Sequence, residues 1–138
     1  RLRKSWTGNL IVKGVLNPDD AIKIKNLGID AIYVSGHGGR QLDSLPPPII
    51  QLQKIRSIIG PKYPLIFDSG IRNGEDIVKA YASGANFVML GRPVLYAIAA
   101  DGDRGLKTIF DLMCKEIEVT LSQIGMNKIS EAGPTNLS

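Results

Sequence analysis

The sequence carries one cysteine, Cys114, and one histidine, His37, and aromatic residues make up only 6% of it. A lone cysteine closes no internal disulfide, which suits a reducing compartment, so a cytoplasmic location is expected. No apolar stretch approaches the roughly 20 residues needed to span a bilayer. Basic runs are also scarce. Beyond Arg1, Arg3 and Lys4, the residues behind the net charge of +4 are interleaved with acids along helical segments. With so few aromatics among them, they describe a solvated surface, and no nucleic-acid partner is expected. No metal site is expected either. The remaining composition, 43% hydrophobic and 22% charged over 138 residues, is that of an ordinary globular domain. A chain of this size buries roughly two-thirds of its unfolded surface.

What the chain does have is a repeated pattern. Four short apolar runs, predicted as strands at 10–14, 31–35, 65–68 and 86–90, each end in polar residues suited to chemistry. The first ends in Lys13-Gly14 and the second in Ser35-Gly36-His37-Gly38-Gly39-Arg40-Gln41-Leu42-Asp43. The third ends in Asp68-Ser69-Gly70-Ile71-Arg72 and the fourth in Gly91-Arg92-Pro93. Helical punctuation lies between them. Asn17-Pro18-Asp19-Asp20 is an N-cap followed by a first-turn proline and two acids, and that helix should stop at Gly28. Ile49, Leu52, Ile55 and Ile59 mark a second helix, ended by Gly60-Pro61; Asn73 caps a third, which Gly84 closes. A short helix is expected over 94–100. A long one is expected over 103–124, where Leu106, Ile109, Phe110, Met113, Ile117, Leu121 and Ile124 define one broad buried stripe.

Alternating strands and helices point to parallel βαβ units. A small doubly wound sheet is the runner-up. Functional residues at all four carboxyl ends favour the site-bearing face of a (β/α) barrel. A complete barrel takes about 250 residues, or about 31 per unit, so this chain has room for about half of one. Residues 1–125 are expected to form that half. Residues 126–138 show no periodicity and are expected to be a mobile tail. Arg1 to Trp6 reads as the end of a helix, as in a fragment of a longer chain.

Paired glycines and arginines after the last two strands, Gly70 with Arg72 and Gly91 with Arg92, suit a phosphate. Glycine lets backbone N–H groups come close, and an arginine fork neutralises the charge. Singly, each pair reads as a turn with a solvated cation. Lys13 is either a strand-end amine reaching solvent or a cation aimed into the barrel mouth. His37, flanked by glycines and followed closely by Arg40, suits acid–base chemistry on a carboxylate-bearing substrate, although a lone histidine is more often structural. Asp68 either accepts from a sugar-like chain or caps its own loop, and Asp43 reads as a loop-ordering residue.

The stretch Ser35 to Asp43 closely resembles the active-site signature of the FMN-dependent α-hydroxy acid dehydrogenase/oxidase family. That family includes glycolate oxidase, L-lactate dehydrogenase and mandelate dehydrogenase. The likeness continues in order through Val12-Lys13-Gly14, Asp68 to Arg72 and Gly91-Arg92-Pro93, and covers nearly the whole chain. It implies the carboxyl-terminal half, strands five to eight, of a TIM (β/α)8 barrel, with FMN as cofactor and a small L-2-hydroxy acid as substrate. His37 would be the catalytic base and contact substrate, with the proton leaving either oxygen or carbon, and Arg40 would clamp the substrate carboxylate. Lys13 would sit beside the flavin's N1/O2 edge and Ser35 against the flavin or its ribityl chain. Asp68, Ser69, Gly70, Ile71, Arg72, Gly91 and Arg92 would hold ribityl and phosphate. The acceptor of the electrons is oxygen, a quinone or a cytochrome. The complete protein is expected to be a homo-oligomer, peripheral to the membrane in some relatives.

Two positions depart from the family pattern. Gly36 stands where asparagine is usual before the histidine, and Ser69 where a second glycine is frequent. The family's substrate-contacting tyrosines and the aspartate partnering its histidine belong to the amino-terminal half. Without that half, the edges at 10–14 and 86–90 are unpaired, no turnover is expected, and FMN affinity is weak at best. A non-catalytic half-barrel that self-associates or packs on a partner is the alternative. A nucleotide dehydrogenase would need its own nucleophile, and Cys114 lies mid-helix, away from the strand ends.

Overall fold

Four strands, β1 (Ile11–Val15), β2 (Ala31–Val34), β3 (Leu65–Phe67) and β4 (Phe87–Val88), lie side by side in sequence order, and each neighbouring pair is parallel. This computed structural model describes residues 1–137. A short helix α1 (Leu2–Ser5) precedes β1. The crossovers contain α2 (Pro18–Asn26), α3 (Pro48–Ile59) and α4 (Gly74–Ala82), and α5 (Arg92–Gln123) follows β4. The unbroken strand order decides between the two architectures. Right-handed crossovers that always step in one direction put every helix on the same face of the sheet. A doubly wound sheet reverses direction and covers both faces. Here nothing reverses, and the sheet is laid down as a barrel wall is.

Strand register sorts the side chains between the two faces. Val12, Ile32 and Leu65 form one paired row, and Val34, Phe67 and Val88 form another. These rows turn toward the helices and pack with Leu52, Ile55 and Ile59 of α3; Ile32, Val34, Leu65, Leu52 and Ile55 have no exposed surface. The alternate row, Lys13, Tyr33, Ile66 and Phe87, turns the other way. At the two edges of the sheet this second face is open to solvent, with Ile11 52% and Phe87 57% exposed.

Helix starts follow the capping chemistry. The Asn17 side chain accepts from the Asp19 N–H, and that of Asn73 from the Asp76 N–H. Boundaries moved where pairing decides them. β1 runs on to Val15 because a bulge at Gly14 lets pairing resume with Val34. β4 is shorter than the expected 86–90, since as an edge strand it pairs only with the brief β3; Met89 N–H to Phe67 O (2.8 Å) is its continuation.

The two expected carboxyl-terminal helices are one helix with a break. Non-helical backbone at Asp101 and Gly102 (φ +50°) falls in the expected gap, and the first piece begins earlier, at Arg92. The broad buried stripe is a correction. Met113 and Leu121 are buried and Leu106, Ile109 and Ile117 half-buried, but Phe110 and Ile124 are exposed. The principal neighbour of α5 is α4, so the contact is a narrow seam. Residues 126–137 carry two 3-10 turns, Ile129–Glu131 and Pro134–Leu137, both packed near α4.

Candidate functional site

At the carboxyl end of β1, the Lys13 ammonium donates to Ser35 Oγ (3.0 Å), stands 3.5 Å from Asp68 Oδ2, and lies 4.6 Å from the Tyr33 ring centroid. Tyr33 in turn donates its hydroxyl to the same carboxylate oxygen, Asp68 Oδ2 (2.8 Å). Burial alone would raise the Asp68 carboxyl; the hydroxyls of Ser35, Tyr33 and Ser69 and the Lys13 charge outweigh it and hold it below the usual carboxylate range. Burial and the neighbouring carboxylate push the Tyr33 phenol up. An ammonium, a carboxylate and a phenol therefore form one ordered cluster at the strand ends.

The next turn holds His37. Its backbone is left-handed (φ +52°), as is that of Gly38 (φ +66°) and Gly39 (φ +77°). Glycine adopts this conformation freely and histidine seldom does. The His37 N–H donates to Ser35 Oγ (3.1 Å), and the ring lies over Gly14, where an added Cβ would stand 2.6 Å from Cε1. Gly14 (φ +88°) thus serves the β1 bulge and makes room for the imidazole. Asp43 packs against Gly39, in keeping with a loop-ordering role.

Below this loop opens a cavity of about 560 Å³, within the usual range for small-molecule sites. Lys13, His37, Arg40 and Asp68 are among the residues that line it. Ser69, Gly70, Ile71, Arg72, Gly91 and Arg92 line it too, joined by Gly38, Gln41, Met89 and Leu95. Nearly every site residue expected from the sequence meets here. Ser35 does not. It is 1% exposed and lies behind the wall, its hydroxyl occupied by Lys13 and by the His37 N–H. The Arg92 guanidinium reaches the Gly38 carbonyl (3.3 Å), bridging the last strand end to the His37 loop, and that of Arg72 donates to the Ile71 carbonyl (2.8 Å).

Four cations against one carboxylate give the cavity a positive balance. Its concave shape, its two glycine–arginine pairs and its single imidazole suit an anion-bearing ligand with a site for proton transfer. The model of FMN-dependent dehydrogenases matches residues 1–138. The chain belongs to this family. It is 40% identical over 122 residues to a peroxisomal (S)-2-hydroxyacid oxidase of Arabidopsis thaliana, covering 88% of this chain and 34% of that protein. It is 43% identical over 122 residues to an L-lactate oxidase of Lentilactobacillus hilgardii, covering 88% and 33%. Among solved structures, a soluble mutant of the membrane-associated (S)-mandelate dehydrogenase from Pseudomonas putida superposes with a TM-score of 0.92 at 41% identity, covering 98% of this chain and 38% of that one. The chain spans about a third of the length of the curated relatives it matches. No helix among the described residues is long and apolar enough to cross a membrane.

The residues present fit FMN, the family's cofactor. An added Cβ at Gly70 or Gly91 meets nothing within 4 Å, so both backbones stand open to the cavity, with Arg72 and Arg92 beside them. Tyr33 is the member of this cluster that sequence reasoning missed. It sits in the middle of an apolar run and reads as strand filler. The available signal was alternation, since Ile32 and Val34 face the helices and Tyr33 must face with Lys13, its partner in register.

Proposed function

We propose that this chain supplies strands five to eight of the (β/α) barrel of an FMN-dependent oxidoreductase that converts a small L-2-hydroxy acid to the 2-oxo acid. The observation that carries the reading is the convergence of His37, Arg40 and both glycine–arginine pairs on one cavity at the ends of parallel strands. The open face with Ile11 and Phe87 is the surface that the remaining barrel strands cover.

Oxidation of a 2-hydroxy acid removes two electrons and two protons from its carbinol group. FMN would supply the acceptor of both electrons and of one of these protons. Arg40 pairs with the substrate carboxylate and fixes which way the carbinol faces. The His37 imidazole takes up the other proton as the base. The Lys13 ammonium, held in place by Ser35 and Asp68, would supply a fixed positive charge to the cofactor's ring end. Gly70, Ile71, Arg72, Gly91 and Arg92 bind the phosphate end, and oxygen, a quinone or a cytochrome takes the electrons onward.

The test is spectroscopic. The complete protein containing this chain is expected to be yellow and to lose its flavin absorbance anaerobically on addition of L-lactate, glycolate or L-mandelate. Arg92→Ala or Arg72→Ala is expected to weaken FMN retention by roughly tenfold or more, the worth of a charged hydrogen bond. Protein that stays colourless in excess FMN overturns the reading and leaves the non-catalytic half-barrel.

A further inference from the structure

We propose that the Ser69 hydroxyl is the tie that aims His37, making Ser69 a positioning residue for the base; this deepens the reading above and rests on His37 being that base. Ser69 and His37 are the non-glycine residues of left-handed backbone among those described, at φ +86° and +52°. They face each other across the same junction. Serine seldom adopts this conformation and glycine does so freely, so a serine here needs a return from its side chain.

The return is visible. Ser69 Oγ donates to Asp68 Oδ1 (2.8 Å) and accepts from the Gly36 N–H (3.0 Å) and the Gly38 N–H (3.4 Å), the amides on either side of His37. The His37 N–H itself goes to Ser35 Oγ. Three successive amides of the catalytic loop are therefore held by two serine hydroxyls, one on β2's own end and one from the end of β3. Through Asp68 the second hydroxyl is anchored to Tyr33 and Lys13. The hydroxyl has one proton and two lone pairs, and all three are in use. Gly36 has no side chain with which to brace the loop itself, so the bracing comes from the neighbouring strand end. The Ser69 backbone remains free to line the cavity beside Gly70.

Ser69→Gly separates this role from a structural one, because it removes the hydroxyl while relieving the left-handed strain. In the complete protein loaded with FMN, S69G is expected to melt no lower than the parent. Its rate of flavin reduction at saturating substrate should fall about tenfold, as misplacement of a reacting group does. KM should stay within about twofold, with the rate read at saturating FMN. S69A should lose the rate to the same degree. In both variants, amide hydrogen exchange at Gly36 and Gly38 should quicken about tenfold, a readout that needs no turnover. Parent-like exchange at these amides overturns the proposal, as does parent-like reduction by S69G. A rate loss that tracks FMN occupancy, or one accompanied by a fall in melting temperature in S69G, also overturns it. If the parent binds FMN yet no 2-hydroxy acid reduces it, the functional reading fails separately, and the exchange rates alone decide whether Ser69 holds the loop.

Discussion

Among single side chains, Tyr33 governs how strongly Asp68 draws on Lys13, since phenol and ammonium approach the same carboxylate oxygen. Tyr33→Phe removes one hydrogen bond to a carboxylate and should cost about 1–2 kcal/mol, read by urea unfolding at neutral pH. The sign of its pH dependence follows from the lowered Asp68 carboxyl. A carboxyl held below its unfolded value near ~3.9 stabilises the fold above that pH, and the contribution fades as pH falls through the folded value. The gap between parent and Y33F should therefore narrow below about pH 4; a constant gap means the ring's packing is all that counts. Gly14→Ala meets both a positive φ and the His37 ring. It should cost about 1–2 kcal/mol for the backbone alone, and flavin reduction should slow because the imidazole moves. Much of this site was legible beforehand, because glycine–arginine pairs and a glycine-flanked histidine recur at successive strand ends, and the repetition says more than any one of them. Lys13 was left between solvent and site, and only register and distance place it against Asp68. Ser35 holds Lys13 and the His37 amide, because a hydroxyl's partners are set by tertiary contacts that spacing does not reveal.

Among the elements, α3 is tied to its neighbours by one guanidinium fork. Arg56 donates from Nε and Nη2 to the Gly84 carbonyl, from Nη1 to the carbonyls of Gly60 and Tyr63, and from Nη2 to Asn86 Oδ1. Asn86 Oδ1 also accepts from the Leu65 N–H, so the fork joins the end of α3 to the starts of β3 and β4. Arg56→Met should cost about 2–3 kcal/mol in urea unfolding, chiefly from carbonyls left unpaired, and Arg56→Lys should recover little because an ammonium has no fork. An unchanged midpoint would show that water replaces the fork at no cost. The helix ends that were legible, at Asn17, Gly28, Gly60 and Asn73, are those whose signal is local capping chemistry. The buried stripe of α5 was overread for the opposite reason. Periodicity shows which side of a helix is apolar, whereas the width of what covers it depends on neighbours, and here that neighbour is chiefly α4.

Taken as a whole, the chain is a sheet with two free edges and one open face. The strand order excludes a doubly wound sheet, and Ile11 and Phe87 stand exposed at its two edges. Produced alone, residues 1–138 should self-associate in sedimentation experiments, and Phe87→Ser should weaken that association; a monomer with its edges uncovered would show that this face needs no partner. Parallel architecture was readable because alternating strands and helices permit few topologies, and strand order then selected between two. The decisive measurement is anaerobic rapid mixing of the FMN-loaded complete protein and its His37→Ala variant with L-2-hydroxy acids. The parent's flavin should bleach with at least one of them, while H37A keeps its FMN and its colour. An H37A protein that bleaches as fast as the parent would contradict the assignment of His37 as the base.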